Sequence, residues 1–449
     1  MELSEEQVFV FNKYVNGDNI FITGPGGTGK SALIREIYNH ATANEKKIQV
    51  CALTGCAALL LQCKAKTIHS WAGIGQGMGA IPAIVEKVTK NKYKRKNWTD
   101  VDILIIDEVS MMSKKLFNIL NEIGKRARKK IGLPFGGIQV IFSGDFYQLP
   151  PVGEKEDAET SQFCFESDDW NVVFPRENQI PLVKIFRQLD PVYANILNQL
   201  REGKLKRSSH EILLKHIGKQ ISTEGDIQPT KLYPRRHSVE SINNAEMKKI
   251  GTDEKKYQMR RLVDLVPTRE TYTKEEIEYE YKYLESSIQC EQSVQLKIGA
   301  QVMCIVNMET SSGYKLCNGS QGIVIRFNEQ NIPVIKFRGI PVPIAVGYHT
   351  WISDSIPSIG LAQIPLILAW ALTIHKAQGA TLDIAEIDVG NNVFECGQTY
   401  VALSRVKSLE GLYLTAFNYQ KVYTNKKVKE YYNDNMYLAK TQVKIKNEE

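Results

Sequence analysis

No stretch of this 449-residue chain approaches the eighteen or so consecutive apolar residues of a membrane span. A membrane-spanning role is therefore not expected. No two of the eight cysteines stand as a C-x-x-C pair, which removes the usual frame for a zinc site or an iron–sulfur cluster. The eight, Cys51, Cys56, Cys63, Cys164, Cys290, Cys304, Cys317 and Cys396, lie mostly in apolar runs, as reduced core thiols do, so a reducing, intracellular compartment is implied. The start, Met1-Glu2-Leu3-Ser4-Glu5-Glu6, lacks the basic character of a secretory signal or transit peptide, and neither is expected. Charge of one sign does not dominate either, because 57 basic against 50 acidic side chains leave only +7. What basic excess exists is clustered, at Lys87, Lys90, Lys92, Lys94, Arg95 and Lys96 and again at Lys125, Arg126, Arg128, Lys129 and Lys130. Such clusters are either footprints for nucleic-acid phosphates or solvated helix faces.

With 43% hydrophobic and 24% charged residues, the chain has the make-up of a soluble globular protein of about two to four domains. Its organising stretch is an apolar run, Asn19-Ile20-Phe21-Ile22-Thr23, followed by Gly24-Pro25-Gly26-Gly27-Thr28-Gly29-Lys30-Ser31 and a segment of helical period. This fits G-x-x-x-x-G-K-[ST] between a buried strand and a helix. Glycines let successive N–H groups turn toward a polyphosphate, and the helix offers it a positive N-terminal end. Lys30 is expected on the β and γ phosphates and the Ser31 hydroxyl on Mg²⁺.

Further strands are expected over 48–53, 101–106 and 138–143, completing a nucleotide-binding lobe. The third ends in Asp107-Glu108. A strand that delivers two carboxylates to a sheet edge suits phosphoryl transfer, with Asp107 holding the metal through water and Glu108 deprotonating the attacking water. Paired acids in that position also cap helices. Gly144-Asp145-Phe146-Tyr147-Gln148 follows the fourth strand, which sets Gln148 near the terminal phosphate. Thr54-Gly55 and Thr67-Ile68-His69-Ser70-Trp71 are small and polar segments at strand or helix ends, where open sheets bind ligands. At the start of the chain, Ser4 and Gln7 make a capping-box pattern for a helix over 3–15.

A second series of short apolar strands, at 182–185, 231–233, 368–374, 385–389 and 411–416, reads as another lobe without a phosphate loop. Alternating strands at 300–306, 322–327, 334–337 and 342–346, with a hairpin signal at Asn318-Gly319, read as a small β-module inserted in it. Arg187, Arg405 and the dense polar turn Thr373-Ile374-His375-Lys376-Ala377-Gln378-Gly379 stand out in that half. If the lobes face each other across a nucleotide, the two arginines are placed to act as fingers; otherwise they are ordinary salt-bridge partners.

Taken in order, these motifs resemble the Pif-one-like branch of superfamily 1B DNA helicases, relatives of RecD. The most specific segments are Pro134-Phe135-Gly136-Gly137-Ile138-Gln139 leading into Gly144 to Val152, and Ala371 to Leu382. The resemblance implies an α/β protein of two RecA-like lobes in tandem, using ATP and Mg²⁺. The first lobe would span 1–72 and 99–178, with a wedge insertion at 73–98; the second would span 179–261 and 361–449, with an SH3-like β-module at 262–360. It also implies that Gln7 reads adenine and that Gly24, Pro25, Gly26, Gly27, Thr28, Gly29, Lys30, Ser31 and Gly379 hold the nucleotide. Asp107 and Ser31 would hold the metal, Lys30 and Glu108 would serve catalysis, and Gln148, Arg187 and Arg405 would sense or stabilise the γ-phosphate. Thr54, Gly55, His69, Thr373, His375 and Lys376 match segments that touch DNA, with His69 or Trp71 available for base stacking.

The expected activity is 5′-to-3′ translocation on single-stranded DNA with unwinding of forked or tailed duplex, by a monomer without long extensions, in replication, repair or recombination. A small viral or bacterial-type motor would suit that, in the host nucleus or cytoplasm or in the bacterial cytoplasm. An RNA helicase, a non-unwinding translocase and an ATP-switched scaffold remain alternatives, the last disfavoured by the hydrolytic residues.

Overall fold

The computed structural model describes residues 3–434 except 62, 76, 78, 155, 189, 221–227, 268–271, 289, 311–312, 354–355 and 379. The chain forms two units. Of the described residues, one holds those up to Lys204 with Glu395–Gly397 and those from Val422 to Asp434; the other holds those within Leu205–Phe394 and Gln398–Lys421.

In the first unit the strands are β1 (Ile20–Thr23), β2 (Ile48–Ala52), β3 (Lys66–Thr67), β4 (Ile103–Asp107), β5 (Gln139–Ser143) and β6 (Gln179–Pro181), a parallel sheet in the order β3-β2-β4-β5-β1-β6. The central strands β4, β5 and β1 read as nearly continuous apolar runs because both faces are covered. Alternation along β1 sends Ile20 and Ile22 into one core, with Leu33, Ile34 and Ile37 of α2 (Lys30–Ala43) and Val10 of α1 (Glu5–Val15). Phe21 faces the other core, where Phe117, Phe135, Phe142 and Trp170 crowd together. The expected insertion is a pair of helices, Ile81–Lys90 and Lys92–Asp100, whose buried Ile84, Val85, Val88 and Trp98 join this second core.

The second unit carries a four-stranded parallel sheet, ordered Ala371–Thr373, Thr230–Tyr233, Ala385–Val389 and Leu412–Phe417. Inserted in it is a five-stranded antiparallel sheet of Ile344–Ala345, Pro333–Phe337, Gln321–Phe327, Gln301–Cys304 and Leu366–Leu368. These are two RecA-like lobes with a β-rich insertion.

Four expectations need correction. The first lobe does not end at 178, because β6 hydrogen-bonds alongside β1 and the helix Pro191–Glu202 lies in the first unit. The second lobe does not run to the end of the chain, because a helix over 426–434 packs Val428, Tyr431 and Tyr432 into the first unit's aromatic core. The apolar run 368–374 is two strands: Leu366–Leu368 pairs with Gln301–Cys304 in the insertion, and Ala371–Thr373 pairs with the lobe's own strand Thr230–Tyr233. Asn318-Gly319 does not join a two-strand hairpin, since the strands flanking it, Lys315–Leu316 and Gln321–Phe327, pair with different partners.

Candidate active site

The loop after β1 is folded by its glycines. Gly27 has φ +89°, and a Cβ there would lie 2.5 Å from Cβ of Arg187. Gly29, the N-cap of α2, has φ +83°, and its Cβ would lie 2.5 Å from Nε2 of Gln7. Both need the left-handed conformation and the missing side chain at once. Thr28 is buried and donates to the Pro25 carbonyl at 3.0 Å. Lys30, the first residue of α2, turns back to donate to the carbonyls of Gly24 at 2.6 Å and Pro25 at 2.9 Å. Burial pushes its ammonium below the usual lysine range, opposed by the carboxylates of Asp145, Glu108 and Asp107. Ser31 follows in the first turn of α2.

Gln7 does two things at once. Its Oε1 accepts from the Ser4 backbone N–H at 3.0 Å, closing a capping box, while Nε2 reaches the Thr28 carbonyl at 3.4 Å. The start of the chain is thereby tied to the phosphate loop.

Asp107 ends β4 with 6% exposure, and burial raises its carboxyl above the ordinary value, with Ser143 close by and Lys30 drawing it back. Glu108, next along, has φ 58° and ψ 37°. A non-glycine residue there costs on the order of 1 kcal/mol, strain of the kind that collects at functional sites.

Gln148 is buried on the loop after β5. The same loop carries a pair that sequence reasoning missed. Asp145 is fully buried, and Arg201 from the helix Pro191–Glu202 clamps both its oxygens at 2.8 Å. The guanidinium also lies 4.6 Å from the ring of Tyr147. A second omission is Gln188, 7% exposed, with Oε1 beside Gly27; among the described residues its Nε2 has no hydrogen-bond partner.

Arg187 is not carried by the second lobe. It lies in the same unit as the phosphate loop, packed on Gly27, and the neighbouring Phe186 N–H bonds the Gly27 carbonyl at 2.8 Å. The reason is β6, which draws the following loop alongside β1. Arg405 does belong to the second unit; it is buried there, donating to the Val401 carbonyl at 2.9 Å and to Ser404 Oγ at 2.8 Å.

Among the DNA-touching expectations, Thr54 and Gly55 open the helix Gly55–Leu61, with Thr54 Oγ1 accepting from the Ala57 N–H at 3.2 Å. His69 is partly buried in the helix Ile68–Trp71, and burial lowers its imidazole below the usual value. Trp71 is not available for stacking on bases: it is 4% exposed and packs on Trp98, with ring centroids 4.8 Å apart. In the second unit, Thr373, His375 and Lys376 line a groove of about 850 Å³ together with Arg235, Arg236 and Lys297. Gly379 lies outside the described residues.

A model of the PIF1-like helicase family matches residues 2–211, and one of the DNA helicase Pif1 2B domain matches 283–327. The crystal structure of Pif1 helicase from Candida albicans superposes with a TM-score of 0.75 at 34% identity, covering 97% of this chain and 99% of that one. The chain belongs to the Pif1-like helicase family. A structure of Pif1 helicase from Bacteroides in complex with ADP-AlF3 and single-stranded DNA matches with a TM-score of 0.64 at 27% identity, covering 97% of each chain. The ATP-dependent DNA helicase PIF1 of Emericella nidulans is 35% identical over 95% of this chain. This Pif1-like chain spans 63% of that relative's length.

Proposed function

We propose that this chain is an ATP-dependent DNA helicase that translocates 5′ to 3′ on single-stranded DNA and unwinds forked or tailed duplex. The observation that carries the reading is the placement of Lys30 at the start of α2, of Asp107 and Glu108 at the end of β4 and of Asp145 just past β5, all at the carboxyl edge of one parallel sheet, where the three carboxylates act on the Lys30 ammonium. That edge is where open α/β sheets bind nucleotides.

In this reading Lys30 leaves its two carbonyl partners for the β and γ phosphates, and Glu108 accepts the proton of the attacking water. Gln148 and Arg187 orient the γ-phosphate from the first lobe, Gln188 Nε2 donates to the nucleotide, and Gln7 reads its base. Arg405 acts as the finger supplied by the second lobe. The donor set fits a hydrated divalent cation: a hydroxyl at Ser31 and one buried carboxylate, Asp107, are the sparse protein ligands that Mg²⁺ takes when phosphates supply the rest. Mg²⁺, when bound, would neutralise phosphate charge that develops during transfer. Thr54, Gly55 and His69 on one lobe and Thr373, His375 and Lys376 on the other would grip the strand, chiefly through its backbone. Such binding tolerates any sequence and weakens with salt.

The test is ATP turnover with and without single-stranded DNA or RNA, followed by strand displacement from duplexes with a 5′ or a 3′ tail. DNA-stimulated turnover and displacement only from the 5′ tail are expected. Equal stimulation by RNA would point to an RNA motor, and turnover indifferent to nucleic acid would sink the motor reading.

A further inference from the structure

After the second unit's last described strand, Leu412–Phe417, the chain re-enters the first unit at Val422, and the helix over 426–434 packs into that unit's aromatic core. Its anchors are aromatic. Tyr431 donates to Oε1 of Gln179 in β6 at 2.6 Å and stacks on Phe165 with ring centroids 4.3 Å apart. Tyr432, 7% exposed, is stacked on Tyr147 at 4.7 Å and 10°. Its hydroxyl shares a hydrogen bond of 2.6 Å with Thr23 Oγ1 and accepts the Phe146 N–H at 3.1 Å. Those two residues stand at sensitive points. Thr23 is the last residue of β1, immediately before the phosphate loop, whereas Phe146 lies between Asp145 and Gln148 on the loop after β5. The strands β1 and β5 are neighbours, with Ile22 opposite Ser143, so one hydroxyl bridges the end of β1 to the loop that leaves β5.

The Arg201 guanidinium completes the arrangement. It holds Asp145, covers Tyr147, and lies 5.5 Å from the Tyr432 ring. The loop carrying Gln148 is therefore held at Asp145 by the Arg201 fork and at Phe146 by the Tyr432 phenol.

We propose that Tyr432 is a positioning residue for ATP hydrolysis: the C-terminal helix clasps the phosphate-loop strand to the loop carrying Gln148, and sets their spacing. The inference rests on the reading of the site as an ATPase with Gln148 near the γ-phosphate. Misplacing a group by a fraction of an ångström there affects the transition state more than nucleotide binding.

Tyr432→Phe keeps the stacked ring and removes only the hydroxyl. Its DNA-stimulated kcat should fall by roughly tenfold while the KM for ATP stays within about twofold, and backbone amides over 144–150 should exchange faster in deuterium. Thr23→Val should reproduce the effect, and the double variant should be no worse than the worse single one, because both remove the same bridge. A folded Tyr432→Phe protein with a lowered Tm and wild-type kcat would overturn the proposal. Should the wild-type protein itself show no DNA-stimulated turnover, the motor reading falls; the clasp is then decided by exchange, and unchanged rates over 144–150 in Tyr432→Phe would refute it.

Discussion

Glu108 and Lys30 show how much of the candidate site follows from the chain one residue at a time. The phosphate loop is local, so its residues follow from chain order alone: glycines at the turns, lysine at the helix start, carboxylates at the end of a nearby apolar strand. Lys30→Ala is expected to abolish turnover, and Glu108→Gln to bind ATP without hydrolysing it, as nucleotide-binding and phosphate-release assays on the same samples would reveal. Arg405→Ala is expected to slow hydrolysis by roughly a hundredfold or more; wild-type rates would show that the second lobe contributes no finger.

Arg201 carried no such signal, because its partner Asp145 is 56 residues away and an arginine on an amphipathic helix looks like any other. Its loss would strand a fully buried carboxylate. Arg201→Ala should therefore cost about 3–5 kcal/mol of stability, read from chemical denaturation, and adding Asp145→Asn should recover part of it.

At the level of elements, α1 was legible down to its cap. Ser4 and Gln7 form the capping box their spacing calls for, and Gln7 reaches the phosphate loop as well. The two roles separate by mutation: Ser4→Ala should lower stability by about 0.5–2 kcal/mol with ATP KM unchanged, whereas Gln7→Ala should also raise that KM. An unchanged KM in Gln7→Ala would leave the glutamine a capping residue only.

Strands were legible where a long apolar run met a single sheet, as at Ile103–Asp107 and Gln139–Ser143, whereas the run 182–185, expected as a strand of the second lobe, forms none and lies in the first unit. The run 368–374 was not legible either, because strand propensity has no term for which of two sheets a segment joins, and here it joins both in succession. Asn318-Gly319 misled for a related reason. A turn sequence specifies a tight reversal, but hydrogen bonding to more distant strands decides whether its neighbours pair; the Gly319 N–H is committed to the Cys304 carbonyl.

On the scale of the whole molecule, the basic clusters divide by fate. Arg128 is spent on structure, donating to the carbonyls of Gly136, Trp98 and Val101, and Lys125 pairs with Asp169. Lys87, Lys92, Arg95 and Lys96 remain exposed on the helical insertion. If they meet the nucleic acid, replacing Lys92, Arg95 and Lys96 together by alanine should flatten the dependence of log affinity on log salt by about 0.7 for each single-strand phosphate that is no longer neutralised. A slope equal to wild type would return them to solvated charge.

Local order along the chain determined the nucleotide loop, the carboxylate pair, the capped first helix and the presence of two α/β halves with a β insertion, because each depends on residues within a strand, a turn or a helix of one another. Tertiary structure alone decided which half owns each segment. It assigned Arg187 to the lobe of the phosphate loop, buried Trp71 against Trp98, clamped Asp145 with Arg201, and returned the C-terminal helix to the first unit. Those outcomes depend on which hydrogen-bond ladder and which aromatic cavity a segment completes, and such free energies belong to pairs of surfaces far apart in the chain.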